Sequence, residues 1–282
     1  MRRAASARSN RYDATAVIES RPVRILLRLA SSVVLVFLYL PVVILAVYAF
    51  NESRLQVWPP TGFTLRWFGE AASNPGLIQA TVNSLAVATV ATAIALVLGT
   101  LAALAVQRYD FFGRQTISFL LVLPIALPGV VTGIALRTSF VTLGIDFGLL
   151  TIIIGHATFC VVIAYNNVVA RLRRLPRSPE EASADLGADA FTTFRRVTLP
   201  GMGTALLSGG LLAFALSFDE IIVTNFTAGA GTQTVPMWIL AAIQRPTELP
   251  VVNVVALLLI VLSVVPVWLA TRISSGVEGA RL

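Results

Sequence analysis

The chain contains 282 residues, of which 56% are hydrophobic and only 12% are charged, and its mean hydropathy is +0.83. Soluble domains carry about 25% charged residues, so the composition excludes that class and indicates a membrane protein. The net charge is +7. Because the arginines cluster at the boundaries of apolar runs, where anionic headgroups attract them, we assign this charge to lipid contact and expect no nucleic-acid partner. Cys160 is the only cysteine, which excludes an intrachain disulfide.

Six apolar runs are long enough to cross a hydrocarbon core of ~30 Å as helices. A β-barrel would instead show ~10-residue segments of alternating polarity. The sequence therefore predicts an all-α, polytopic membrane protein with six transmembrane helices. The predicted spans are Leu29–Phe50, Leu85–Val106, Ile117–Leu136, Leu149–Ala170, Ala205–Phe226 and Val251–Thr271.

The arginines predict which side of the membrane each loop faces, because positive side chains resist translocation and the chain has no lysine. With both termini in the cytoplasm, 17 of the 21 arginines lie inside, and only Arg54, Arg66, Arg137 and Arg245 lie outside. We therefore expect a cytoplasmic tail and interfacial lead-in at 1–28, a membrane domain at 29–271 and a cytoplasmic tail at 272–282. The long polar segment at 171–204, hereafter the polar segment, also faces the cytoplasm in this arrangement.

The first half of the polar segment has the pattern of a short helix. Ser178, Pro179 and Glu181 match a capping box with proline at the first helical position, so a helix is predicted to begin at Pro179. Gly187 is expected to bend or end it.

The second half predicts another short helix. Asp189 is its expected cap, and Phe191 and Phe194, three residues apart, are expected to share one face. Pro200 keeps this helix from merging with the next span. Such a helical knob suits a cytoplasmic partner that pushes on the spans, and the alternative is an amphipathic hairpin lying on lipid.

The polar segment resembles the cytoplasmic signature of the permease subunits of bacterial binding-protein-dependent ABC importers. That signature reads Glu-Ala-Ala, three residues, Gly, nine residues, Ile, one residue and Leu-Pro. The spacing is met throughout this chain, with serine in place of the second alanine and valine in place of isoleucine. The matching residues are Glu181-Ala182-Ser183, Gly187, Val197 and Leu199-Pro200.

Further stretches are similar to the spermidine/putrescine-type branch of that family. They are Tyr39–Ile44, Phe50–Arg54, Gln107–Arg114, Gly155–Cys160 and Leu216–Glu220. The resemblance implies the type I ABC importer permease architecture in the bacterial inner membrane. It also implies three partners, namely an ATPase subunit dimer, a second homologous permease and an extracytoplasmic solute-binding protein.

The resemblance assigns coupling to the ATPase to one set of residues: Glu181, Ala182, Gly187, Phe191, Phe194, Leu199 and Pro200. The chain itself is expected to be non-catalytic, to hold no metal and no cofactor, and to leave ATP and Mg²⁺ to the partner. Its sequence agrees, because it has no lysine to complete a phosphate-binding loop.

The substrate path is predicted from polar groups within the spans, which are costly there and usually face a cavity or a partner. Asp219 and Glu220 are adjacent in the fifth span, and on a continuous helix they point ~100° apart. One of them would attract a cationic solute such as a polyamine. The alternative is an ion pair with Arg137 or with the second permease. The predicted path residues are Asp219, Glu220, Asn225, His156 and Tyr165.

Two other readings of the sequence remain open. His156 and Cys160 share a helix face and could in principle hold a metal or form a thiolate–imidazole pair. Because two ligands are too few for a site, packing or hydrogen bonding is favoured, and a membrane-embedded hydrolase is the alternative. An ATP-independent channel is a third class. Pro128 is followed by Gly129 where the polyamine branch commonly has an acidic residue. Ferric iron, thiamine or another small solute therefore stands as an alternative cargo.

Overall fold

The computed structural model describes the backbone of residues 21–278 and the side chains of residues 22–263. The predicted tail at Met1–Ser20 and the last four residues lie outside the described part. Apart from one isolated bridge between Asn51 and Phe63, the regular structure of this part is helical. The α-helices are α1 (Arg21–Phe50), α2 (Arg66–Ser73), α3 (Pro75–Arg108), α4 (Arg114–Ala126), α5 (Gly129–Thr142), α6 (Leu149–Leu172), α7 (Ser178–Asp185), α8 (Ala190–Thr193), α9 (Leu199–Gly201), α10 (Gly203–Asp219), α11 (Ile222–Thr227), α12 (Val235–Ile243) and α13 (Leu249–Glu278).

Four helical stretches are long and apolar enough to cross a membrane: Pro22–Phe50, Pro75–Arg108, Leu149–Leu172 and Pro246–Ser263. Two bent helix pairs raise the number to six if each pair is one span. The all-α prediction is confirmed. The predicted number of six membrane spans is reached when each bent pair is counted as one span. The lead-in expected before residue 29 is part of α1, which begins at Arg21.

The third predicted span, Ile117–Leu136, is not one helix. It divides into α4 and α5, whose axes meet at 105°. Pro128 has no N–H to continue the helix, and Leu127 before it takes an extended conformation with ψ of 144°. This predicted span is therefore a pair of helices that is bent at a proline visible in the sequence.

The fifth predicted span, Ala205–Phe226, is also discontinuous. Helix α10 ends at Asp219, and Glu220 is extended with ψ of 120° before α11 begins at Ile222. The angle of ~100° expected between the two carboxylates on one helix is therefore wrong. Before α10, the chain bends by 67° at Met202, so the polar segment is separated from this span as predicted, although Pro200 itself lies within the short helix α9 that precedes the bend.

Helix α3 begins ten residues before the predicted second span. The side chain of Asn74 accepts a hydrogen bond from the Leu77 N–H at 3.0 Å, and Pro75 occupies the first helical position. This asparagine–proline pair is a helix start that the hydropathy pattern did not reveal. The resulting helix has 34 residues and is about 50 Å long.

The centre of the membrane domain is the contact of α3 with α6 and α10. A Cβ atom added at Gly99 of α3 would lie 2.8 Å from the backbone N of Tyr165 in α6, so only glycine permits this approach. The other residues that α3 buries are also mostly small, as in close-packed membrane helices. They include Ala80, Ala88, Ala91, Thr92, Ala95 and Ala103.

The segment before α2 is folded against the end of α1. Trp67 is fully buried and its Nε1–H donates to the Asn51 carbonyl oxygen at 2.7 Å. The guanidinium groups of Arg54 and Arg66 lie 5.0 and 4.1 Å from the centre of the Trp67 ring. The connection at 51–84, between the first two predicted spans, thus contains helical structure, namely α2 and the first turns of α3.

Candidate functional site

The first helix of the polar segment, α7, begins differently from the prediction. Arg177 is its cap, and the Arg177 carbonyl oxygen accepts from the N–H groups of Glu180 and Glu181 at 2.9 and 3.0 Å. No side chain caps the helix, so the predicted capping box at Ser178 is wrong. Arg177 already has helical dihedral angles, so Ser178 is the first residue of the helix and not the residue before it. Ser178 therefore cannot act as the cap.

The bend at Gly187 is confirmed. Its φ of +82° is in the left-handed region that favours glycine. The N–H of Gly187 bonds the Ala184 carbonyl at 2.8 Å, and the N–H of Ala188 bonds the Ser183 carbonyl at 3.1 Å. These two bonds form a Schellman motif, which ends α7 and directs the chain into the next helix.

The predicted cap at Asp189 is also confirmed. Its carboxylate accepts from the Thr192 N–H at 2.8 Å. Hydrogen bonds from Thr192 hold the pKa of the Asp189 carboxyl below its usual value, because they stabilise the charged form. The carboxylate is solvent-exposed and thus stays ionised near neutral pH.

Phe191 and Phe194 do not form the expected common aromatic edge. Phe191 is 68% exposed, whereas Phe194 packs against the buried cluster that contains Leu172 and Met202. From Phe194 to Thr198 the chain is π-helical, which changes the angular spacing of its side chains. Phe191 and the 88%-exposed Leu186 therefore form an apolar tip beside Gly187.

The residues expected to couple to an ATPase divide into two groups in the structure. One group is exposed and consists of Glu181, Ala182, Gly187, Phe191 and Pro200. Phe194 and Leu199 are half-buried and attach the segment to the membrane domain through the ends of α3 and α6.

One residue of the segment was missed by the sequence reasoning. The Glu180 carboxylate accepts from Arg108 at the end of α3 and from the Thr198 hydroxyl, both at 2.9 Å. Arg108 and Glu180 are 72 positions apart. The signature places emphasis on Glu181, and no local pattern indicates that its neighbour contacts a distant helix.

The break after α10 is held together by its own acidic residue. Glu220 accepts from the Val223 N–H at 2.8 Å and so satisfies the first turn of α11. Asp219, by contrast, is exposed. Within the described residues neither carboxylate forms an ion pair, and Arg137 instead donates to the Phe226 carbonyl at 3.4 Å. The alternative of an ion pair with Arg137 is therefore wrong.

His156 bridges the two sides of this break. Its Nδ1 lies 2.8 Å from the Ser217 hydroxyl on α10, and its Nε2 lies 2.8 Å from the Thr224 hydroxyl on α11. The single Thr224 proton goes to the Glu220 carbonyl at 2.7 Å. Thr224 must therefore accept from Nε2–H, and the other ring nitrogen, Nδ1, bonds the Ser217 hydroxyl.

Glycines on α5 and α6 make room for α11. A Cβ at Gly133 would overlap the ring of Phe226, and one at Gly155 would lie 3.0 Å from Val223. Gly129, the first residue of α5, faces Ile222 at an ordinary 3.5 Å. The two broken spans therefore meet at their breaks, with the start of α5 against the start of α11.

The remaining predicted path residues lie in different places. Asn225 is exposed on α11, close to the break. Tyr165 is buried and donates to Ser118 at 3.0 Å, nine residues and about 13 Å along α6 from His156. It lies on the wall of a groove of about 1290 Å³. Cys160 donates to the Ala213 carbonyl at 3.4 Å, so its sulfur and the His156 ring bond different partners.

Non-helical backbone within a span is tolerated only where protein or a watery cavity surrounds it, as in the discontinuous helices of many transporters. The fold matches a crystal structure of a bacterial ABC transporter involved in the import of the acidic polysaccharide alginate, with a TM-score of 0.66 and 16% identity. That match covers 91% of this chain and 98% of the other. A second alginate transporter structure, in complex with a pentasaccharide-bound periplasmic protein, gives a TM-score of 0.69 over 91% and 96% of the two chains at 16% identity.

The sequence defines the family. Residues 95–279 match the family described as "Binding-protein-dependent transport system inner membrane component". The chain is 38% identical over 232 residues to the putrescine transport system permease protein PotI of Escherichia coli (strain K12), covering 79% of this chain and 82% of PotI. It is 33% identical over 243 residues to the spermidine/putrescine transport system permease protein PotC of Haemophilus influenzae, covering 86% and 93%. This chain therefore belongs to the family of binding-protein-dependent inner-membrane permeases.

Proposed function

We propose that this permease forms half of the path of an ATP-driven importer for a small cationic solute of the polyamine class. Its partners in this proposal are a second homologous permease, an ATPase subunit dimer that binds ATP and Mg²⁺, and an extracytoplasmic solute-binding protein. The polar segment contacts the ATPase on the cytoplasmic side. The permease itself carries out no chemistry.

The geometry of the polar segment supports the assignment of coupling. Its exposed apolar side chains, Leu186 and Phe191, stand on either side of the left-handed Gly187, while Phe194 and Leu199 attach the segment to the membrane domain. A surface that is apolar at its tip and fixed at its base suits a protein partner that pushes on the spans.

The break in the fifth span carries the assignment of a cationic substrate. An exposed Asp219 stands at the carboxyl end of α10, and the extended Glu220 leaves the last carbonyl groups of that helix without a continuing turn. The carboxylate and the negative end of the helix dipole both favour a cation. The names of PotI and PotC point to the same class of solute. In this proposal Asp219 faces the path, and Glu220 holds α11 in place.

Substituting each carboxylate separately tests this division. We expect Asp219→Asn to lower uptake of a di- or tricationic solute by about tenfold, equivalent to ~1.4 kcal/mol of binding, because the charge facing the path is lost. Glu220→Gln is the matched control, because its amide oxygen still accepts from Val223; it should stay within about twofold of wild type. Uptake of radiolabelled putrescine by cells that express the whole importer is the measurement. Unchanged uptake by Asp219→Asn would remove Asp219 from the path.

A further inference from the structure

The helix α7 has no buried residue of its own. Its attachments within the described structure are polar: Glu180 to Arg108 and Thr198, Ser183 to Thr193, and Arg177 to the Gln107 carbonyl. Its side-chain hydrogen bonds therefore fix its position relative to the membrane domain. Two of these contacts lead to the end of α3, a helix far away in sequence.

The ion pair of Arg108 with Glu180 is the shielded member of this set. The two side chains are only 14% and 21% exposed, and the atoms are 2.9 Å apart. Ion pairs on the surface are worth little, whereas removing one partner of a pair that is shielded from water leaves the other charge buried and uncompensated, which is costly. The Thr198 hydroxyl bonds the same carboxylate oxygen, so a single atom joins α3, α7 and the π-helical stretch.

The other end of α3 is tied to a different part of the molecule. Asn83 donates to the Gln233 carbonyl at 2.9 Å, and Ser84 accepts from the Val235 N–H at 2.8 Å. Between these residues and Arg108, α3 is an uninterrupted helix that packs on α6 and α10. A displacement of the polar segment that reaches Arg108 is therefore carried along α3 to the loop before α12.

We propose that the Arg108–Glu180 ion pair transmits movement of the polar segment to α3, in addition to the covalent connections through α6 and α10. Arg108 and Glu180 are in this account positioning residues for coupling, and they do not contact the ATPase. The inference rests on the proposed function, since it requires an ATPase that moves the polar segment.

The test uses the complete importer with Arg108→Gln, Glu180→Gln and the double variant. Each single variant should retain the ATPase subunit in co-purification. Each should also lower the uptake of solute per ATP hydrolysed by at least about fivefold, because coupling between two sites usually changes an affinity by about fivefold or more. The double variant should show the same uptake per ATP hydrolysed as either single variant, because each substitution removes the same interaction.

Arg108→Lys keeps the charge and should recover at least about half of the wild-type uptake per ATP hydrolysed. Arg174→Gln is the control for the loss of an exposed positive charge.

The outcomes separate this inference from the proposed function. Single variants with wild-type uptake per ATP would overturn the inference, as would uptake and ATP hydrolysis that fall in proportion. Loss of the ATPase subunit from the variants would also overturn it, because the pair would then support docking. Gly187→Arg is the comparison for docking and should lose the subunit. A wild-type permease that brings down no ATPase subunit would contradict the proposed function itself.

Discussion

His156 is the residue that best explains how the fifth span can be broken inside the membrane domain. Hydrocarbon offers no water to satisfy a freed backbone group, so a break must be satisfied internally. The chain of bonds from Ser217 through His156 and Thr224 to the Glu220 carbonyl does this across the gap. His156 is only 1% exposed, so its ring is shielded from solvent. Its two hydrogen bonds agree with the expectation that this histidine packs or bonds within the membrane domain.

We expect His156→Phe to destabilise the permease by about 1–3 kcal/mol, because it leaves the buried Ser217 hydroxyl without its hydrogen-bond partner. The midpoint of thermal unfolding in detergent should fall by about 2–4 °C for each kcal/mol. Thr158→Val on the same helix is the control, since Thr158 bonds only the Gly155 carbonyl one turn away. Equal midpoints for the two variants would contradict the bridging role of His156.

At the scale of elements, the two broken spans fit together through glycine. Gly133 in α5 lies so close to Phe226 in α11 that no Cβ fits, whereas Gly129 four residues earlier has ordinary space before Ile222. The absence of an acidic residue at 129 thus leaves an apolar contact between the starts of α5 and α11. The close approach depends on position 133.

These two glycines provide a matched pair of substitutions on one helix. Gly133→Ala should destabilise the permease by about 1–3 kcal/mol, the usual cost of overpacking, because the Phe226 ring must move. Gly129→Ala should be close to neutral. Thermal unfolding of both purified variants is the measurement, and a Gly133→Ala variant as stable as Gly129→Ala would show that α5 and α11 are not packed this closely.

Sequence periodicity and hydropathy predicted the helices of the whole molecule better than its breaks. Pro128 indicates the break between α4 and α5 in the sequence. The break after Asp219 contains no proline or glycine, and His156 on another helix stabilises it, so no local pattern indicates it. Gly187 and Asp189 were predictable because their effects are local. Glu180 was not, because its partner Arg108 is remote in sequence.

At the scale of the whole molecule, this permease is proposed to form one half of an importer. In the proposed importer, the apolar tip beside Gly187 contacts the ATPase, α3 and the helices around it transmit the displacement, and the broken spans change the access to Asp219. Each step depends on the one before it, so only a measurement on the assembled importer tests all of them together.

The most direct such measurement is ATP-driven uptake into proteoliposomes that contain this permease, its second permease and its ATPase, with the binding protein outside. We expect radiolabelled putrescine or spermidine to accumulate only when both ATP and the binding protein are present. An uncharged diol of the same chain length should not compete. Accumulation without ATP, or ATP-driven uptake of an uncharged solute with no uptake of either polyamine, would contradict the account.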